Sequence, residues 1–186
     1  FSVQSDTATL VVADVNDAPV ITLSSHVLAG TDEDTSGVPF TVSSLLGDNQ
    51  ADVDAGAMEG IAVTGLVGNG TWECSTNGTD WQSIGAVTGS SALLLDADTQ
   101  LRYSPDNENG ETASISYKGW DQTAGSAETL VDTSVSGGTT AFSVQSDTAT
   151  LVVADVNDAP ILTPVAASLA GTDEDTSSVP FTVSSL

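Results

Sequence analysis

The sequence has very few positively charged residues. Arg102 and Lys118 are the only Lys or Arg among 186 residues, against 26 Asp and Glu, so the formal net charge is −24. Two cations can pair with at most two carboxylates, so most of the neutralising charge must come from outside the chain. Nucleic acids and anionic membrane surfaces would be repelled by such a chain, and we expect neither as a partner.

Cysteine and histidine are almost lacking, with one residue of each. Cys74 cannot form an intrachain disulfide, and we interpret it as a small buried or half-buried side chain. His26 is replaced by Ala167 in the repeat described below, so we interpret it as a surface residue rather than a catalytic or zinc-binding one. No carboxylate pair stands out as a glycosidase acid and base. We therefore expect no enzyme and no catalytic residue.

Long apolar runs are also missing. The sequence has no run of 18 or more apolar residues and no basic segment followed by an apolar stretch. We therefore expect no direct membrane insertion, and we expect the export signal and anchor to lie elsewhere in a longer parent. Hydrophobic residues still make up 39% of the chain, which is enough to build a folded core.

The strongest feature that is present is an internal repeat. Residues 142–160 repeat residues 1–19 letter for letter, at an offset of 141 residues, and 37 of the 45 paired positions are identical. Such near-identity predicts a tandem array. The turn-forming sequence Val-Asn-Asp-Ala-Pro at 15–19, and again at 156–160, marks two boundaries. We expect three parts: 1–18, the last strand and linker of a preceding repeat; 19–158, one complete domain; and 159–186, the first strands of the following repeat.

The region between the boundaries has an all-β pattern. Ala113, Ile115 and Tyr117 alternate with polar residues, and Asn77-Gly78 predicts a hairpin turn. No stretch shows a convincing helical period. Further strand-like runs lie at 38–45, 91–95, 100–104 and 142–153. The predicted fold is a β-sandwich of immunoglobulin-like type, in which we expect the three tryptophans to pack the core rather than bind sugar.

Acidic residues form four short clusters, two of which occur in both copies of the repeat. The clusters are 14–17 with its copy 155–158, 32–34 with its copy 173–175, 52–54, and 96–98. Calcium takes six to eight oxygen ligands, and two carboxylates one residue apart in a loop can point at one ion. A single cluster would be better explained as an ordinary acidic turn, but four of them predict calcium sites.

Other acidic residues are weaker candidates. Residues 106–111 alternate oxygen-bearing side chains like a calcium loop, but a solvated hairpin turn explains them as well. We expect Asp121, Glu128 and Asp132 to be ordinary surface acids.

Several of these motifs resemble those of a known family. Residues 14–19, Asp-Val-Asn-Asp-Ala-Pro, resemble the linker between cadherin repeats, and residues 52–56 resemble the cadherin D-x-D-x-G motif. Glu33 stands where cadherins have a first-strand glutamate, and 95–98 loosely match the cadherin L-D-R-E motif. The 141-residue period is longer than a cadherin repeat. Segments 68–85 and 101–125 look more like the cadherin-like extender modules of giant bacterial adhesins of the RTX type.

The resemblance implies a function. The chain would be a cadherin-like β-sandwich that serves as a structural spacer in a bacterial surface adhesin, extracellular and monomeric. Its partners would be neighbouring repeats of the same polypeptide. Ca²⁺ at the junctions would stiffen the array and project a distal ligand-binding region from the cell. The alternative is a calcium-dependent module that itself contacts a sugar, a surface or a like module.

The resemblance also implies how the ligands of one junction are shared. Glu33 would act with Asp96 and Asp98, the linker at 155–158 would add ligands, and the D-x-D pair of the next domain would close the site. Neither junction would then be fully liganded by this chain alone. The candidate ligands are Asp14, Asn16, Asp17, Glu33, Asp52, Asp54, Asp96, Asp98, Asp155, Asn157, Asp158 and Glu174.

Overall fold

The structure is a computed structural model that describes residues 1, 3–164, 166 and 168–183. The chain divides into two compact units, Phe1–Val156 and Asn157–Leu186. In the described ranges there are twelve strands and one α-helix. In chain order they are β1 (Val20–Ile21), β2 (Thr31–Asp32), β3 (Phe40–Thr41), α1 (Val42–Leu46), β4 (Gln50–Ala51), β5 (Gly60–Val67), β6 (Thr71–Ser75), β7 (Gln82–Ser83), β8 (Ala92–Asp96), β9 (Gln100–Ser104), β10 (Glu111–Trp120), β11 (Leu130–Val131) and β12 (Phe142–Ala154).

Two sheets form a sandwich in the first unit. The larger has the order β11-β8-β5-β10-β12-β2 and the smaller the order β3-β9-β6-β7, while β1 and β4 form a separate pair. Strand β12 runs antiparallel to β10 from Trp120↔Phe142 to Glu111↔Val153, and β2 pairs in parallel with the last residues of β12. The sandwich therefore has two ends, one marked by Trp120 and the other by Glu111.

The core lies between the sheets because the strands alternate apolar and polar side chains. Ile115 and Tyr117 of β10 and Leu151 of β12 pack in one cluster with Trp72 and Tyr103 of the smaller sheet. On the outer face of the larger sheet, a second cluster is formed by Ala62, Ala92, Leu94, Trp120, Ala141 and Phe142. The all-β prediction and the sandwich-like packing of the sheets are confirmed.

Most predicted strands are confirmed, including the hairpin at Gly78, whose φ is +74°. The prediction of a strand over 38–45 is wrong for its second half, because residues 42–46 form helix α1. Thr41 caps this helix by accepting a hydrogen bond from Ser44 N at 3.1 Å. Its apolar residues Val42, Leu45 and Leu46 follow helical spacing, but over one turn only, which is too short for a period to be recognised.

The first residues of the chain differ from their copy. Residues 142–154 form β12, whereas the described residues of the identical segment 1–13 are assigned to no strand. A strand needs a neighbour for its backbone groups, and only the second copy lies beside β10. That residues 1–18 belong to a preceding repeat stays a prediction.

In the second unit the described residues form turns and no strand. The Thr172 hydroxyl donates to Thr176 O at 2.7 Å, as Thr31 donates to Thr35 O at 2.7 Å in the first unit. This turn is therefore a local property of the repeated sequence.

A search of the described residues finds no helix with the length and apolar character needed to cross a membrane.

Candidate functional site

At the Trp120 end of the sandwich, residues 14–17, the first predicted linker, lie against the sandwich. Asn16 donates from Nδ2 to Asp121 Oδ2 at 2.9 Å and to Thr140 O at 3.3 Å. Asp17 N donates to Asp54 Oδ2 at 2.7 Å. Beside these contacts lies an open cleft of about 350 Å³, which we call the linker cleft; it is lined by Asp14, Asn16, Asp54 and Asp121 among others.

The D-x-D motif reaches this cleft because of its own turn. Asp52 Oδ1 accepts from Asp54 N at 2.9 Å, which folds the chain back at residue 54. Gly56 follows with a φ of +87°, a conformation that favours glycine. The carboxylate of Asp54 is thereby directed at the linker backbone.

Two oxygens close to this motif in the chain are buried and have no hydrogen-bond partner among the described residues. They are Asp52 Oδ2 and Gln50 Oε1. An unpaired buried oxygen costs free energy, and a carboxylate oxygen costs more than a neutral one. A cation bound beside these oxygens would supply the missing contact.

Asp121 is the site residue that the sequence interpretation missed. We expected Asp121 to be an ordinary surface acid, but it is only 2% exposed. Its Oδ1 accepts from Thr123 N at 2.8 Å and from Thr123 Oγ1, at 2.6 Å, while Oδ2 holds Asn16. The only sequence signal was its position directly after the alternating strand, which places it at a strand end but not beside the linker.

The Glu111 end of the sandwich carries a second acidic group. Glu33 is fully buried, with 0% exposure; its Oε1 accepts from Val156 N at 2.9 Å, and its backbone N donates to Ala154 O. Glu33 Oε2 and Asp32 Oδ1 are buried without a partner among the described residues. Asp155 Oδ1 accepts from Gly110 N at 3.2 Å. We call Asp32, Glu33 and Asp155 the Glu33 group.

The structure does not bring Asp96 and Asp98 to the Glu33 group, so that expectation is corrected. Asp96 pairs with Gly60, and Gly60 pairs with Trp120, which puts Asp96 at the Trp120 end. The length of β10, about 30 Å at 3.3 Å per residue, separates the two ends. Asp96 Oδ1 instead accepts from Thr99 N and Thr99 Oγ1, at 2.9 and 2.7 Å, which closes a tight turn.

The remaining candidates have local contacts or none that assign a role. In the second unit, Asn157 Nδ2 donates to Asp158 O at 3.2 Å, and both residues are exposed, as is Glu174. Within 106–111, the Glu111 carboxylate accepts from Asn69 N at 2.8 Å and from the Tyr103 hydroxyl. Burial and this carboxylate raise the pKa of Tyr103 well above its usual range. The Glu111 carboxylate therefore stabilises the turn between β5 and β6.

A further buried carboxylate lies on β12. Asp147 accepts from Ser24 N at 3.1 Å, Ser24 Oγ at 2.9 Å and Thr148 N at 2.8 Å. Burial opposes ionisation, but these hydrogen bonds together hold the pKa of Asp147 below its usual range. Asp147 therefore joins β12 to the segment that follows β1.

The donors at the two ends suit calcium better than other metals. Carboxylate, amide and carbonyl oxygens are its preferred ligands. Within the described ranges no three His, Cys, Asp or Glu side chains are close enough together to form a metal site by themselves. A site at either end would therefore include Asn16, backbone carbonyls, water or groups of another repeat.

The other side chains singled out in the sequence have structural positions. Cys74 is buried, as predicted, and burial raises the pKa of its thiol. Trp72 and Trp120 are buried. Trp81 is half-buried, and the Arg102 guanidinium lies over its ring at 4.1 Å while pairing with Glu73 at 2.7 Å.

Comparison of the chain with protein-family models, with curated proteins and with solved structures finds no match.

Proposed function

We propose that this chain is a spacer repeat of an extracellular bacterial adhesin, an immunoglobulin- or cadherin-like sandwich in an array stiffened by calcium between neighbouring repeats. The observation that supports it is that two linkers of identical sequence make different contacts. The first linker, 14–17, contacts the Asp54 and Asp121 carboxylates of the domain after it. The second linker begins at Asp155, and its Val156 N contacts Glu33 of the domain before it.

Because the linkers are identical in sequence, one complete junction would combine both sets of contacts. The Glu33 group would come from the preceding repeat. Asp52, Asp54 and Asp121 would come from the following repeat, with the linker between them. Buried oxygens without partners occur in both sets, at Glu33 and at Asp52. Calcium bound there would supply the positive charge that the sequence lacks.

The mechanism is electrostatic and mechanical. Carboxylates gathered from two repeats repel one another in the absence of a cation, and the linker flexes. Calcium removes the repulsion and fixes the angle between neighbours, so that repeats in series form a stiff rod. Small-angle X-ray scattering of a chain of several repeats tests this, because the maximum dimension should increase with calcium and shorten with chelator. An unchanged length profile would refute the proposal.

The linker cleft can be tested in the 186-residue chain itself. Asp121→Asn removes one charge from the cleft, and Asp132→Asn removes one charge from an exposed position as a matched control. Calcium should raise the melting temperature of the wild type and of Asp132→Asn, since the ion binds the folded form. The increase should be smaller in Asp121→Asn. Equal calcium effects in the two variants would exclude Asp121 as a ligand.

The alternative function, a module that contacts a sugar or a surface directly, has less support. A sugar-binding platform needs an exposed aromatic face, but Trp72 and Trp120 are buried and Arg102 covers Trp81.

A further inference from the structure

The segment that ends the sandwich occurs twice in the chain, in two different environments. Residues 3–13, which we call the N-terminal copy, are identical in sequence to residues 144–154 of β12. In β12, Leu151 is 2% exposed and Val153 is 3% exposed. In the N-terminal copy, the equivalent Leu10 is 88% exposed and Val12 is 83% exposed. The chain therefore contains this sequence twice, and among the described residues only the second copy pairs with β10.

The place that β12 occupies, which we call the β12 slot, is defined by strand β10 and by Ser24. The register pairs Ala113 with Leu151 and Glu111 with Val153, and Ser24 binds the Asp147 carboxylate. The N-terminal copy has the same side chains at the same spacing, as Leu10, Val12 and Asp6. Every contact that selects β12 is thus available to the N-terminal copy.

The N-terminal copy cannot enter the slot of its own chain while the linker stays in place. In the slot, Val12 would lie beside Glu111, about 30 Å along β10 from Asp121. Asn16 is hydrogen-bonded to Asp121, and the four residues from 12 to 16 span at most about 14 Å. An occupant other than β12 must therefore come from a second molecule.

We propose that the β12 slot accepts the N-terminal copy of a second chain, so that chains join head to tail by strand exchange. The incoming and outgoing strands are identical, so hydrogen bonds and buried area balance. The tether of β12 favours the unexchanged form, with an effective concentration on the order of millimolar. Exchange therefore becomes prominent when chains refold at about millimolar concentration. The proposal does not rest on calcium binding.

Disulfide trapping tests the register of the exchanged strand. Thr112 pairs with Val152, whose equivalent is Val11, so Thr112→Cys with Val11→Cys should form a disulfide between molecules. The mismatched control is Thr112→Cys with Thr7→Cys. Thr7 corresponds to Thr148, which pairs four residues away at Ser116, about 13 Å along the strand. Both chains carry Cys74→Ala.

The matched chain should give disulfide-linked dimers and larger species after oxidative refolding at about millimolar concentration. After about a hundredfold dilution before refolding, these species should decrease by one to two orders of magnitude. The mismatched chain should give at least tenfold fewer at either concentration. Equal yields from the two chains, or no matched dimer at the high concentration, would overturn the proposal.

A second measurement does not depend on cysteine. Leu151→Asp with Val153→Asp disables β12, and the slot can then be filled only by the N-terminal copy of another chain. This variant should refold into oligomers by light scattering and recover its β-sheet circular dichroism. Adding Leu10→Asp should abolish the rescue, whereas adding Val11→Asp, on the outward face, should not. A β12-disabled chain that stays unfolded with an intact N-terminal copy contradicts the proposal.

Discussion

Leu151 and Leu10 offer a matched pair for measuring what the β12 slot contributes to stability. The two leucines have the same nine residues before them and the same nine after them, but Leu151 is 2% exposed and Leu10 is 88% exposed. Replacing a buried leucine by alanine costs about 2–5 kcal/mol, because transfer free energy is lost and a cavity is left. An exposed leucine away from packing should change stability by less than about 0.5 kcal/mol.

The comparison cancels most effects of the unfolded chain, since the local sequence around both sites is the same. For a unit of this size, about 3 kcal/mol should lower the melting temperature by roughly 6–12 °C. Leu151→Ala should show this shift, and Leu10→Ala should melt within about 2 °C of the wild type. Thermal and urea unfolding are measured on dilute protein, because dilution keeps strand exchange between molecules low. Equal shifts of the melting temperature in the two variants would contradict the burial of Leu151 in β12.

Two further predictions concern single contacts. Asp147→Asn should cost about 1–2 kcal/mol at neutral pH, because an amide oxygen accepts more weakly from Ser24 than a carboxylate does. The folded-state pKa of Asp147 is lowered, so its contribution is present above about pH 4 and is lost as the pH falls toward that pKa. Urea unfolding from pH 7 to pH 2 should therefore show the two stabilities converging below about pH 4; a constant difference would contradict this. Gly110→Ala should lower the melting temperature because a Cβ there would lie 2.6 Å from Asp155 N, whereas Gly89→Ala, with open space, should not; equal melting temperatures would refute the close approach.

Side-chain alternation predicted most of the longer strands but not the sites. It identified β10 from Ala113, Ile115 and Tyr117, and the turn-forming pair before Thr79 located the hairpin. Which strand ends meet depends on register, and register is set by long-range pairing. For that reason Asp96 was assigned to the wrong end of the sandwich and Asp121 was missed.

The two copies of the repeat distinguish features that depend on local contacts from features that depend on long-range contacts. The turn that begins at Thr31 recurs at Thr172, because it is closed by hydrogen bonds within five residues. The burial of Glu33 does not recur at Glu174, because it depends on contacts with the end of β12 and the linker. Sequence motifs therefore selected these acidic groups as candidates, while their burial and partners required the fold.

The identity of the N-terminal copy and β12 also has a genetic consequence. A crossover between the two coding copies, in frame and in register, inserts or deletes 141 residues. Such a step adds or removes one whole sandwich and leaves each remaining β10 with an unaltered closing strand and an unaltered linker. In the proposed array, the number of domains can thus change in a single recombination event without any intermediate that has lost a strand.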